Sequence, residues 1–214
     1  MYVRELESKP KEITLQVSGK LWRRSLVMQD VETGTLWSHL LGKAMRGDLE
    51  GTRLVQIPST ITTWKAWEKS HPKTTVLAMS RTSREFQVEV QKRPGTFVLG
   101  YVERSKTRAY PFDLLLKEEV VNDRFEGSGI VVTFHPGTTE SHLFSCKVDD
   151  KNRTFTALEP GQMKDKETGS VWNSATGVCL QGSEKGSRLE ELPSIISFRR
   201  AWDAFHPESS YYGR

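Results

Sequence analysis

The chain has 214 residues, 36% apolar and 27% charged, and a net charge of only +4 from 31 basic and 27 acidic side chains. That length buries a sizeable core in one large domain or two small ones, and no apolar run approaches the ~20 residues of a membrane span, so no transmembrane segment is expected. Its basic residues are scattered among acids, with Arg23-Arg24 and Arg199-Arg200 as the only Arg pairs, so the clustered basic face that nucleic acid requires is missing and no nucleic-acid partner is expected.

The first ten residues carry acids where a signal peptide has its apolar core, so nothing here directs export and the compartment stays open. Ile13-Thr14-Leu15-Gln16-Val17 alternates as a half-buried strand does, and Leu26-Val27-Met28 opens a second strand. In the turn from Asp30 to Gly34 the aspartate can bond backbone amides ahead of it, and the glycine takes a positive φ at no steric cost. Leu36-Trp37 is then the returning strand.

This hairpin occurs twice. Asp30-Val31-Glu32-Thr33-Gly34-Thr35-Leu36-Trp37 returns as Asp165-Lys166-Glu167-Thr168-Gly169-Ser170-Val171-Trp172, and the offset of 135 holds without a gap to His71-Pro72 and His206-Pro207. Identical pairs at that offset include Trp37, Gly42, Arg53, Leu54, Pro58, Ile61 and Trp67. Solenoid repeats run to roughly 20–50 residues, so a period this long reads as an internal duplication into two related lobes.

Gly42, Gly47 and Gly51 are spaced by five and four, which is neither the dinucleotide fingerprint nor the Walker loop, and they read as turns and bulges. Ile61 to Pro72 and Ile196 to Pro207 each read as a short amphipathic helix, with Thr62 and Ser197 as N-caps, tryptophans inward and proline as the stop. Thr74-Thr75-Val76-Leu77-Ala78 reads as a strand. Residues 80–95 are the most polar stretch and read as a linker, which divides the chain into an incomplete first unit, 1–79, and a complete second unit, 96–214.

In the second unit Phe97 to Val102 reads as a strand and Tyr110 to Lys117 as a helix with proline near its start. Gly129 to Phe134, Leu143 to Val148 and Arg153 to Thr156 supply three more strands. Short strands close in sequence predict an α+β fold, mostly antiparallel β with short helices.

Candidate chemistry is sparse. No nucleophile elbow, zinc-binding His-Glu pair or Cys-x-x-Cys is present, and neither a metal nor a cofactor is expected. Cys146 and Cys179 read as buried free thiols, and His71 and His206 as helix-end caps. Arg53 and Arg188 stand in matched Gly-x-Arg-Leu segments, where pairing with Asp30, Glu32, Asp165 or Glu167 would lock each lobe, and where unpaired they would bind an anion. Asn122-Asp123 reads as a turn, with Asp123 and His135 as an alternative acid/base pair in one pocket.

Several segments taken together resemble the prokaryotic family known as domain of unknown function 3179. They are Ser18-Gly19-Lys20-Leu21, Ser25 to Asp30, Glu32 to Ser38, Arg108-Ala109-Tyr110-Pro111, Val120-Val121-Asn122-Asp123 and the two Trp-containing helices. Full-length relatives look like two copies of a longer unit, the first ending a strand in a Cys-Pro-Leu-Cys type motif, which in some is described as containing selenocysteine. The resemblance implies a thiol or selenol redox couple there, and relatives look often exported.

Where the second copy would carry those cysteines this chain has Thr133-Phe134-His135-Pro136-Gly137-Thr138, and Met1-Tyr2-Val3 aligns near Leu143-Phe144, past the motif. The expectation is therefore the scaffold portion of a redox protein, N-terminally truncated and without its reactive motif. The alternative is a non-catalytic module whose cleft between the lobes holds a small ligand or protein partner through Arg53, Arg188, Trp37 and Trp172.

Overall fold

A computed structural model describes residues 1–6, 9–76 and 86–213. The first elements are β1 (Glu5–Leu6), β2 (Lys9–Glu12), β3 (Leu15–Trp22), β4 (Ser25–Asp30), β5 (Leu36–Ser38) and β6 (Lys43–Arg46), followed by α1 (Trp64–Ser70) and α2 (Phe86–Lys92). Next come β7 (Phe97–Glu103), β8 (Lys106–Pro111), α3 (Phe112–Leu115), β9 (Val120–Phe125), β10 (Ser128–His135), β11 (Glu140–Ser145), β12 (Lys147–Val148) and β13 (Lys151–Asn152). The chain closes with β14 (Phe155–Ala157), β15 (Gln162–Asp165), β16 (Val171–Asn173), β17 (Cys179–Gln181), β18 (Ser194–Phe198), α4 (Arg199–Phe205) and β19 (Ser210–Tyr211). The architecture is strand-rich α+β, with mostly antiparallel sheets and, among the described residues, four short α-helices.

Two four-stranded meanders, β3-β4-β5-β6 and β14-β15-β16-β17, share one internal geometry. In each, an aspartate at the end of the second strand turns its carboxylate into the hairpin. Trp37 Nε1 donates to Asp30 Oδ2 at 2.8 Å, and Trp172 Nε1 to Asp165 Oδ2 at 2.9 Å. The Thr33 and Thr168 amides each donate to the other carboxylate oxygen at 2.6 Å. Burial alone disfavours the charge on Asp30, but the bonds from Trp37 and Thr33 outweigh it and hold the carboxyl below its usual range, and Trp172 and Thr168 do the same for Asp165. Gly47 and Gly182, at φ 122° and 102°, let the chain pass so close to Thr35 and Ser170 that neither position has room for a Cβ.

The matched contacts reach beyond the meanders. Tyr2 bridges to Gln56 as Phe144 bridges to Glu191, and the Val3 amide donates to Val55 O at 2.8 Å as the Ser145 amide donates to Glu190 O at 2.9 Å. Met1-Tyr2-Val3 thus lies against its neighbour strand as Leu143-Phe144-Ser145 does.

The main core lies between two sheets, β18-β7-β8-β19 and β11-β10-β9. Strand β10 is central and buried on both faces. Ile130, Val132 and Phe134 pack with Phe97, Leu99, Tyr110, Phe112 and Leu115, while Val131 packs on the other side with Phe144, Met163 and Trp172. That is why Ile130 to Phe134 reads as an unbroken apolar run rather than an alternating one. Each such fully buried aromatic contributes about 1.5–3 kcal/mol relative to exposure. The first meander has its own cluster, Leu6, Ile13, Trp37, Ala44, Leu49 and Leu54.

Several expectations need correction. Tyr110-Pro111 ends β8, and the helix after it is one turn, Phe112–Leu115, with Pro111 as its N-cap. Thr63, not Thr62, caps α1, accepting from the Ala66 amide at 3.1 Å, and α4 is capped by Phe198 with no side-chain bond. Residues 74–76 are not in a strand, and 77–78 lie outside the described residues. Asn122 and Asp123 belong to strand β9, not a turn, because Val131 and Ile130 of β10 pair with them. Residues 86–92, inside the stretch read as a linker, form α2, whose Val90 is buried in the main cluster.

Candidate functional site

Strand β18 crosses from the second meander to α4 and faces the first meander across a cleft. On one side stand Arg24, Ser25 and Leu26 from the β3–β4 hairpin, then His39 and Leu40 after β5, and Ile61 just before α1. On the other stand Phe97 of β7, Ile196, Ser197 and Phe198 of β18, and Ala201 of α4, with Glu89 of α2 at the side. The enclosed volume is about 550 Å³, within the range of small-molecule sites. Ile61 and Ile196 match at the offset of 135, and both line this space.

Two smaller hollows adjoin it. Beyond Ile196, a hollow of about 150 Å³ is lined by Tyr2, Ser59, Ser194 and Ile195. Beyond Phe198, one of about 390 Å³ is lined by Arg23, Arg24, Gly95, Thr96, Arg199 and Arg200. The walls are tied together: Gln56 Nε2 donates to Ser194 O at 3.0 Å, Arg23 donates to the Ala204 carbonyl, and Trp22 meets Phe205 edge-on at 4.8 Å. Phe198 and Ile61 are 57% and 43% exposed at its opening, so the cleft presents apolar surface to solvent.

A polar cavity of about 210 Å³ lies at the other end of the seam, lined by Ser59, Thr60, Trp67, His71, Thr176 and Arg188 among others. Its wall holds His142, clamped by Glu191 at 2.7 Å on Nδ1 and by Glu140 at 3.0 Å on Nε2. Thr62 donates to the other oxygen of Glu140 at 3.0 Å. Burial pulls the imidazole pKa down, but the two carboxylates outweigh it and push the value up to about 9. His142 is therefore a cation at neutral pH, and its bond to Glu140 in turn lowers that carboxyl.

The expected site residues are dispersed. Trp37 and Trp172 have no exposed surface and serve as hairpin anchors, so they cannot line a cleft. Arg53 is exposed, and Arg188 edges the polar cavity, donating to Thr176 O at 3.2 Å. The expected pairing of these arginines with Asp30, Glu32, Asp165 or Glu167 is not formed among the described residues. Asp30 and Asp165 are engaged by tryptophan, and Glu32 and Glu167 accept the Thr14 and Thr154 amides at 2.8 Å.

Asp123 and His135 do not share a pocket. Asp123 pairs with Arg108 at 2.8 Å and accepts from Tyr110 Oη at 3.0 Å. His135 lies five residues along β10 from Ile130, the partner of Asp123, which is roughly 17 Å away and on the opposite face of the strand. Its Nδ1 accepts the Thr138 amide at 3.2 Å. His71 and His206 do cap their helices through their backbone amides, with rings 3.9 and 4.2 Å from Trp67 and Trp202. Cys146 and Cys179 are free and buried, and burial raises both thiols.

The cleft residues were not singled out by the sequence reading. Arg24 and Leu26 lie ahead of the matched run that starts at Asp30, and Arg199 stands where the offset of 135 has Trp64. Among the described residues no group of three His, Cys, Asp or Glu side chains is arranged to hold a metal, and no helix is long and apolar enough to cross a membrane.

A family profile described as protein of unknown function (DUF3179) matches residues 1–90 and again residues 87–211. The chain belongs to the DUF3179 family. No curated protein and no solved structure matches it. The two DUF3179 matches meet within residues 87–90, at the start of α2, so the cleft gathers residues from both matched segments.

Proposed function

We propose that this chain is a non-catalytic binding module and that the cleft between the first meander and β18–α4 holds a small, largely apolar ligand. The observation that carries this is the 550 Å³ space itself, walled by Leu26, Leu40, Ile61, Phe97, Ile196 and Phe198. A concave apolar site with a few polar groups at its rim is the usual form of a small-molecule site. The thiol redox reading gains no support from these residues, because Cys146 and Cys179 are buried with raised pKa values and would be poor nucleophiles.

The same reading treats the chain as two related lobes, 1–79 and 96–214, with Val90 of α2 packed in the main core of the second. The paired Asp-Trp hairpins, the paired His-capped helices and the bridges at Tyr2 and Phe144 support that division.

Ala201 lies on the wall shared by the 550 and 390 Å³ spaces, and a tryptophan there would fill both. A thermal-shift screen of apolar and amphipathic small molecules should give ligands that raise Tm by a few degrees in the wild type, as binding to the native state requires. Ala201→Trp should keep a cooperative transition and lose those shifts. Equal shifts in both proteins would place the ligand elsewhere.

A further inference from the structure

The two ends of the cleft differ in chemistry. Toward Ile196 the wall is aliphatic, whereas past Phe198 it opens among Arg23, Arg24, Arg199 and Arg200. These are the only two Arg-Arg pairs in the sequence. One comes from the β3–β4 turn and the other from the first turn of α4, and folding brings them to a single opening.

The existing partners leave much of this positive charge unanswered. Arg23 donates to the Ala204 carbonyl, which is neutral. Arg199 reaches Asp113 at 3.4 Å through Nη2, and its buried Nε has no hydrogen-bond partner among the described residues. Neither Arg24 nor Arg200 forms an ion pair within the described residues. Both Arg23 and Arg24 hold positive φ, 48° and 63°, in a tight two-residue turn whose backbone most side chains disfavour. Glu89 lines the apolar chamber and not the arginine opening, where Asp113 pairs with Arg199 alone, so the opening keeps an excess of positive charge and favours an anion.

We infer that the cleft takes a single-chain anionic amphiphile, with its apolar body between Leu26, Ile61 and Ile196 and its carboxylate or other oxyanion among Arg24, Arg199 and Arg200. This rests on the binding-module reading and adds the class of ligand. Guanidinium groups suit the role because their planar donors engage carboxylate and phosphate oxygens in pairs. Phe198, 57% exposed between the two spaces, marks where the apolar body ends and the head group begins.

The test is calorimetric titration of the full chain with three probes that share one alkyl tail: decanoate, decyl maltoside and decyl trimethylammonium. Decanoate should bind on the order of tenfold more tightly than the neutral probe, the value of one charge-assisted contact, and the cationic probe most weakly. Arg24→Gln/Arg200→Gln should cut the ratio of decanoate to decyl maltoside affinity from about tenfold to about one. Equal affinity for all three in the wild type would overturn the head-group assignment and leave the apolar cleft standing. Absence of binding by every probe would overturn the cleft reading as well. Should the double variant fail to fold, each single variant carries the same comparison.

Discussion

At the scale of single residues, the chain invests its buried charge in fixing geometry. Asp30 and Asp165 are fully buried, and each is satisfied by an indole, a threonine amide and a threonine hydroxyl. Losing one such donor leaves a buried carboxylate short of a partner, at a cost of about 1–3 kcal/mol. The sequence made Asp30, Trp37 and their copies conspicuous, and because repetition marks scaffold and site alike, it also suggested a ligand-facing role for Trp37 and Trp172 that burial forbids.

His142 shows the opposite case, an inconspicuous residue whose importance appears only when Glu140, two residues before it, and Glu191, 49 residues after it, close onto its two nitrogens. Its folded pKa of about 9 lies above the ordinary 6.5, so the stabilisation it brings is complete below pH 6.5 and is lost as pH rises toward 9. The loss should amount to about 3 kcal/mol at most. Urea unfolding at a series of pH values should show this decline in the wild type, and His142→Gln should be less stable below pH 6.5 and flatter across the interval. An identical pH profile in the two proteins would remove His142 as the cause.

At the scale of elements, strands and turns were legible where local chemistry decides them. The Asp-Thr-Gly hairpins, β7 and β10 follow from alternation, turn residues and apolar runs. Helix ends were less so: Tyr110-Pro111 looks like a helix start, but pairing with Val98 and Leu99 keeps it in the sheet. Asn122-Asp123 has turn composition, yet Asn122 exchanges hydrogen bonds with the backbone of Phe155 at 2.7 Å and Asp123 holds Arg108. Long-range pairing overrode local preference in both.

The seating of α4 depends on one such long-range contact, Trp202 over Gly100 of β7. A Cβ at position 100 would collide with the indole ring, and Trp202 is fully buried with its Nε1 donating to Ser209 at 2.8 Å. Gly100→Ala should therefore cost about 1–3 kcal/mol through overpacking. Thermal unfolding should record a lowered Tm, and tryptophan fluorescence a red shift as Trp202 becomes wetter. An unchanged Tm would show that the sheet yields without cost.

At the scale of the whole molecule, residues of two segments that match at the offset of 135, Ser59 and Ile61 with Ser194, Ile195 and Ile196, line one hollow beside the cleft. The offset of 135 was readable, and the placing of Ile61 and Ile196 on one space was not, since a sequence offset carries no information on how matched segments pack. Nor could the sequence show that Arg23-Arg24 and Arg199-Arg200, far apart in the chain, converge. Their separation supported the exclusion of a basic stripe, and the fold turned the same four residues into one opening.

The most direct test of the central claim, that this cleft is the binding site, is methyl-resolved NMR of the full chain titrated with decanoate and with decyl maltoside. Both ligands should shift the methyl groups of Leu26, Leu40, Ile61 and Ile196, with decanoate acting at lower concentration, and Ala201→Trp should abolish these shifts. Shifts confined to residues outside the cleft, or none at saturating ligand, would contradict it.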